Sequence, residues 1–91
     1  MNLKKLKIIK SDKRGIVYRC GEGMYVSRKK GSVTADHIHD DITEILYLVK
    51  GTIELTIGKE VEKVKAPMEI NIPKKAYHKI LALSDVEFLK M

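Results

Sequence analysis

The sequence predicts an all-β domain, and three observations carry that reading. Short runs rich in β-branched and aromatic residues recur between glycine and proline breaks. Two of these runs alternate: Ile53, Leu55 and Ile57 face one way and Thr52, Glu54 and Thr56 the other, while Met68, Ile70 and Ile72 share one side. Turn signals come often enough to separate roughly eight to ten short strands, as in a sandwich or jelly roll and unlike a helical protein.

In chain order, the first ten residues are ambiguous, because Leu3, Leu6 and Ile9 also suit a short helix. Ile16 to Cys20 and Met24 to Arg28 read as a hairpin turned by Gly21-Glu22-Gly23. Val33, Thr34 and Ile38 favour a strand, and Asp40-Asp41 has corner chemistry, since short polar side chains bond back to their own backbone. The chain resumes at Ile42. Thr52 to Ile57 turns at Gly58-Lys59 into Glu60 to Lys65; Met68 to Ile72, Tyr77 to Leu83 and Val86 to Leu89 follow.

Ile45-Leu46-Tyr47-Leu48-Val49 breaks the one-face rule by being apolar on both sides. If Glu44 points inward, Leu46 and Leu48 line the core with it. Ile45, Tyr47 and Val49 then need cover from outside, and a second subunit or a packed N-terminal segment would supply it. A homodimer is expected.

The chemistry concentrates between Gly31 and Gly51. His37 and His39 lie two apart and Glu44 follows five residues after His39, while the third and last histidine is His78. On a strand, residues two apart share a face, so both imidazoles project together. Glu44 has the opposite parity on an unbroken strand, and a corner at Asp40-Asp41 returns it to the same interior. Two imidazoles and a carboxylate then hold one face of an octahedron around a divalent transition metal. Taken alone, H-x-H equally decorates a surface strand; the glycine brackets and apolar flanks favour the metal.

This stretch resembles the first motif of the cupin superfamily, G-x5-H-x-H-x4-E-x6-G, met by Gly31, His37, His39, Glu44 and Gly51. The second motif, G-x5-P-x-G-x2-H-x3-N, is degenerate: Pro73 and His78 keep their register, while Pro67, Lys75 and Ala82 stand where two glycines and an asparagine belong. Fifteen residues, Thr52 to Ala66, separate the motifs, and residues 31–82 carry them. The resemblance implies a jelly-roll barrel, a double-stranded β-helix, with one metal (Fe, Mn, Ni, Cu or Zn) held by His37, His39, Glu44 and His78. It also implies pairing between subunits, sometimes with exchanged terminal strands, so residues 1–14 are an N-terminal segment packed on or exchanged with a partner. Lys75 puts a side chain at a turn position that the family gives to glycine.

Length and composition bound the rest. Ninety-one residues make a single domain, 1–91, whose small core needs help from a metal, a partner or both. No apolar run reaches membrane-spanning length, and no signal-peptide pattern opens the chain. The single cysteine, Cys20, excludes an internal disulfide and suits a reducing cytoplasm. Net charge is +6, from 18 basic and 12 acidic residues. The lysine pairs Lys4-Lys5, Lys29-Lys30 and Lys74-Lys75 are scattered without interleaved aromatics, which reads as a solvated surface, not as a nucleic-acid face. Glutamine is absent and asparagine occurs only at positions 2 and 71, a thermophile-like balance.

Four protein ligands on a metal that accepts six leave two positions for a bidentate molecule or for substrate and dioxygen. The expected function is a metalloenzyme acting on a small oxygen-rich molecule, with dioxygenase-type oxidation favoured over isomerisation because no general base stands out beyond the ligands. The alternative is a non-catalytic module that binds a small ligand such as a carbohydrate. A DNA-binding regulator fits poorly, as no helix-turn-helix accompanies the barrel. Outside the ligand set, Tyr25 can supply a phenol, Met24 and Met68 can line the pocket, and Arg28 either grips a substrate carboxylate or is a surface charge.

Overall fold

Ten strands succeed one another in the computed structural model, which describes residues 1–38 and 42–91, with residues 35–38 described by their backbone. They are β1 (Lys7–Asp12), β2 (Gly15–Cys20), β3 (Gly23–Arg28), β4 (Val33–Ile38), β5 (Glu44–Lys50), β6 (Thr52–Ile57), β7 (Glu60–Lys65), β8 (Met68–Ile72), β9 (Tyr77–Ala82) and β10 (Val86–Lys90). His39 and the corner expected at Asp40-Asp41 lie outside the described residues.

The strands form two antiparallel sheets, β1-β2-β3-β10-β5-β8 and β4-β9-β6-β7. From β3 to β10 every link crosses from one sheet to the other, except the β6–β7 hairpin. That alternation wraps the chain around one interior and is the jelly-roll, double-stranded β-helix architecture.

Period-2 patterning explains what fills the interior. Leu46, Leu48, Ile70, Ile72, Val86 and Phe88 come from the larger sheet, and Ile53, Leu55, Val64, Ile80 and Ala82 from the smaller. As the parity of Glu44 requires, Glu44, Leu46 and Leu48 are all buried. Met68 has the inward parity of Ile70 and Ile72, yet it opens β8 and is half exposed, lining a shallow recess between β6, β7 and β8.

The ambiguous first ten residues resolve into an extended arm that ends in β1. Pairing is antiparallel to β2 alone, and every residue of β1 is exposed. Because β2, β3 and β10 lie between β1 and β5, the arm does not cover the outer face of β5 within one chain. Ile45 and Val49 are accordingly exposed there.

Candidate metal centre

The links between strands gather the expected ligand positions at one end of the barrel. β4 ends at Ile38 in the smaller sheet, and β5 begins at Glu44 in the larger one. Glu44 is paired with Ile72 on β8, and the short link from Ile72 then crosses the sheets to Tyr77 and His78 on β9. His78 is in turn the register partner of His37 on β4. Direct cross-strand partners in an antiparallel ladder lie about 4.5–5.5 Å apart and share a face. Positions 37, 44 and 78 therefore belong to the same end, contributed by β4, β5 and β9.

An irregularity in β4 makes this register possible. Thr34 pairs with Ile80 and His37 with His78, so three residues on β4 span two on β9. The extra residue is a bulge, which returns position 37 to the face of position 34 although their separation is odd. The side chains of residues 35–38 are not among those described. Among the described residues, no group of three His, Cys, Asp or Glu side chains stands close enough to hold a metal. Of the four expected ligands only Glu44 and His78 have described side chains, and both are buried, His78 completely.

Glu44 has a partner that the sequence reading missed. The ammonium of Lys90, the last residue of β10, lies 3.1 Å from Glu44 Oε1. Val86, Phe88 and Lys90 share a parity, and Lys90 pairs with Leu46 and Met24, so its stem runs along the interior as its neighbours do. The signal lies in the alternation of β10, which gives Lys90 the parity of Val86 and Phe88.

Behind this end a cavity of about 270 Å³ extends into the barrel. Leu46, Ile80, Phe88 and Val26 make its apolar wall, and Met24 lines it as expected. Its polar groups are Thr34, Glu44, Lys90, Lys10 and Arg28. Arg28 is thus an interior residue, not a surface charge, and is only 8% exposed.

Tyr25 falls away as a candidate. It alternates with Met24 and Val26 on β3 and so projects to the other face, where its hydroxyl donates to Glu87 Oε1 and its ring lies 5.9 Å from that of Tyr18. Burial, reinforced by the acceptor carboxylate, pushes its phenol up to about 12. Both effects hold the proton on, which is the reverse of what a base requires.

The degenerate second motif leaves a mark on the backbone. Lys75 has φ +62°, the left-handed region that glycine enters without cost. The chain thus keeps the family's turn geometry with a strained residue. Replacing Lys75 with glycine should raise stability by about 0.5–1 kcal/mol, the left-handed penalty less the entropy of the freer unfolded chain. Urea denaturation of the two proteins would measure it, and no gain would mean that the turn is not strained.

Comparison with known proteins agrees with this architecture. The family model described as Cupin domain matches residues 24–90. Among solved structures, the capsular polysaccharide assembling protein CapF from Staphylococcus aureus superposes with a TM-score of 0.75 at 19% identity, over 94% of this chain and 29% of that one. This chain therefore spans under a third of that protein. KdgF from Halomonas sp. gives a TM-score of 0.69 at 21% identity, over 93% of this chain and 73% of its own. A predicted oxalate decarboxylase from Thermotoga maritima gives 0.73 at 20% identity, over 93% and 88%. At such identities the likeness concerns the fold. No protein of curated function matches the sequence.

Proposed function

This chain belongs to the cupin domain family, and from that premise we propose that it holds one divalent transition metal through His37, His39, Glu44 and His78. The proposed role is that of a metalloenzyme acting on a small oxygen-rich molecule, with dioxygenase-type oxidation favoured over isomerisation. The observation that supports the site most is the register of β4 on β9, which sets position 37 beside a fully buried histidine at 78. The donor set fits such an ion: imidazole nitrogen and carboxylate oxygen suit Fe, Mn, Ni, Cu and Zn alike. The Lys90 ammonium lies against one oxygen of Glu44, so a metal there would share that carboxylate with it.

A metal bound there would supply Lewis-acid polarisation of a carbonyl or enolate oxygen, or a point of attachment for dioxygen. The chain's own contribution is the surrounding wall. Leu46, Ile80 and Phe88 exclude water from a ligand in the cavity and strengthen the electrostatics felt there. Lys90 orients Glu44 by fixing one of its oxygens. The likeness to a protein described as a predicted oxalate decarboxylase supports a small, oxygen-rich substrate. The single cysteine supports a reducing, cytoplasmic setting.

The cavity also gives grounds for the alternative, a non-catalytic ligand-binding module. Among its described lining residues Glu44 is the one carboxylate, and Lys90 occupies it. Elemental analysis of untagged protein, followed by oxygen-electrode screening with small acids, sugars and phenols, separates the readings. About one metal per chain with oxygen uptake supports the enzyme. Full metal content with ligand binding but no turnover supports the module, and a chain that takes up no metal defeats both.

The homodimer rests on Ile45 and Val49, which leave an apolar strip on the outer face of β5. Sedimentation at micromolar concentration is expected to show a dimer that Ile45→Glu with Val49→Lys converts to monomer. A wild-type monomer would remove the proposal.

A further inference from the structure

We propose that the N-terminal arm and the β1–β2 hairpin form a docking face for an anionic lipid surface, with Lys4, Lys5, Lys7 and Arg19 against headgroup phosphates and Leu3, Leu6 and Ile8 in the interface. This goes beyond the metal reading and is independent of it.

The charge of the chain is segregated along its length. Residues 1–20 hold seven of the 18 basic residues and one of the 12 acidic ones, so the whole net charge of +6 lies there. Residues 21–91 carry eleven of each and are neutral. The fold then sorts these cations. Lys7 pairs directly with Arg19, and cross-strand partners share a face, where like charges repel. The register shift between Ile8 and Lys10 sets Lys10 opposite Val17, and so on that same face despite its odd distance from Lys7. Lys4, Lys5 and Leu6 join Lys7, Arg19 and Gly21 around a recess of about 320 Å³, with no acid among its described lining residues. Asp12, the one carboxylate of the segment, is taken by Arg14 at 3.1 Å and Lys10 at 4.0 Å. Among the described residues no ion pair includes Lys4, Lys5, Lys7 or Arg19. An external anion relieves their repulsion.

Apolar exposure decides which anion. Leu3, Leu6 and Ile8 interleave with the lysines and are 85, 55 and 54% exposed. Ile8 pairs with Tyr18 and turns to the face opposite Lys7. β1 is the outermost strand of its sheet, however, and a flat surface that meets it edge-on reaches side chains from both faces. Lysines alone would be accounted for as charges that keep an edge strand from pairing with other chains. Exposed leucine and isoleucine work against that purpose. A nucleic acid has little use for them, since its bases stack on aromatic rings. A lipid interface uses both kinds, taking apolar side chains in below the headgroups while ammonium groups stay with the phosphates. At that depth water still reaches the unpaired backbone of β1. A second copy of the chain is a poorer match, because its residues 21–91 offer no net negative charge.

Co-sedimentation of the full chain with sucrose-loaded vesicles tests this. Vesicles of phosphatidylcholine with about one third phosphatidylglycerol should carry the protein down at low salt and release it at high salt. Pure phosphatidylcholine vesicles should leave it in solution. Lys4→Gln, Lys5→Gln and Lys7→Gln together should weaken partitioning about a hundredfold, at about fivefold per cation. Leu3→Ser with Leu6→Ser should weaken it about tenfold or more. All five positions are exposed and four of them precede β1, so both variants should melt as the wild type does. Should either fail to fold, the wild type on the two kinds of vesicle still decides. The proposal is overturned if the wild type stays in solution with anionic vesicles, or pellets equally with neutral ones. It is overturned too if the serine variant binds like the wild type, which would make the face a plain polyanion site. The same holds if that variant turns a wild-type dimer into monomer, which would assign the leucines to a second copy. Absence of metal uptake would defeat the metal reading alone and leave these outcomes untouched.

Discussion

Alanine at both His37 and His39 should strip the chain of metal. Structural zinc sites with four ligands are worth about 10–16 kcal/mol, or roughly 2.5–4 kcal/mol per ligand. Losing two therefore weakens binding by about ten-thousand-fold or more. At micromolar metal that takes the chain from about one ion to none, by elemental analysis after gel filtration. The rise in melting temperature that added metal gives the wild type should disappear with it, since an ion bound only to the folded state stabilises by mass action. The histidines on β4 and its following link make a better test than His78. That residue is completely buried, so its truncation mixes the loss of a donor with a core cavity costing about 2–4 kcal/mol. Full metal content in the double variant would show that the ion sits elsewhere.

How far the sequence foretold this fold depended on whether the signal was local. β6, β7 and β8 begin and end where alternation and the Gly58-Lys59 turn put them, and the β2–β3 hairpin follows its glycines. A strand with one face on the core writes its own period into the chain. β1 wrote none, because with every residue exposed nothing selects between a helical and an extended pattern.

The site was legible in part. Buried Glu44 and His78 follow from spacing and resemblance, because ligand types at fixed intervals are visible in one dimension. The bulge between Thr34 and His37 was not, since an inserted residue looks like any other until its partner strand is known. Lys90 was missed for the same reason: it meets Glu44 across β5 and β10, 46 positions later in sequence. Tyr25 and Arg28 lie three apart on β3, yet one faces Glu87 and the other the cavity, so parity separated two candidates that residue chemistry could not.

Gly51→Ala is expected to be strongly damaging although it lies outside the core. Gly51 joins β5 to β6 at φ +91°, a conformation costing an L-residue about 1–2 kcal/mol. A methyl group there would also run into the Asp85 carbonyl oxygen and come within 2.7 Å of Val86 Cγ1 and 2.8 Å of Ser84 Oγ. Two of these neighbours bind the ends of other strands. Ser84 Oγ accepts from the Thr52 amide at 3.0 Å, and the Asp85 carboxylate accepts from the Lys30 amide at 2.9 Å. The Gly51 carbonyl itself accepts from Ala66 at 2.9 Å. The links β3–β4, β5–β6, β7–β8 and β9–β10 thus meet around one hydrogen-only position, and none can retreat without releasing a hydrogen bond. Strain and clash together should cost about 2–4 kcal/mol, a large share of the stability of so short a chain. The melting temperature should fall by about 10–20 °C. Because this end of the barrel lies opposite Glu44 and His78, metal content measured well below the transition should stay at the wild-type level. A variant that melts normally but loses metal would reverse that logic, making the closing glycine of the first motif a part of the site and not of the frame.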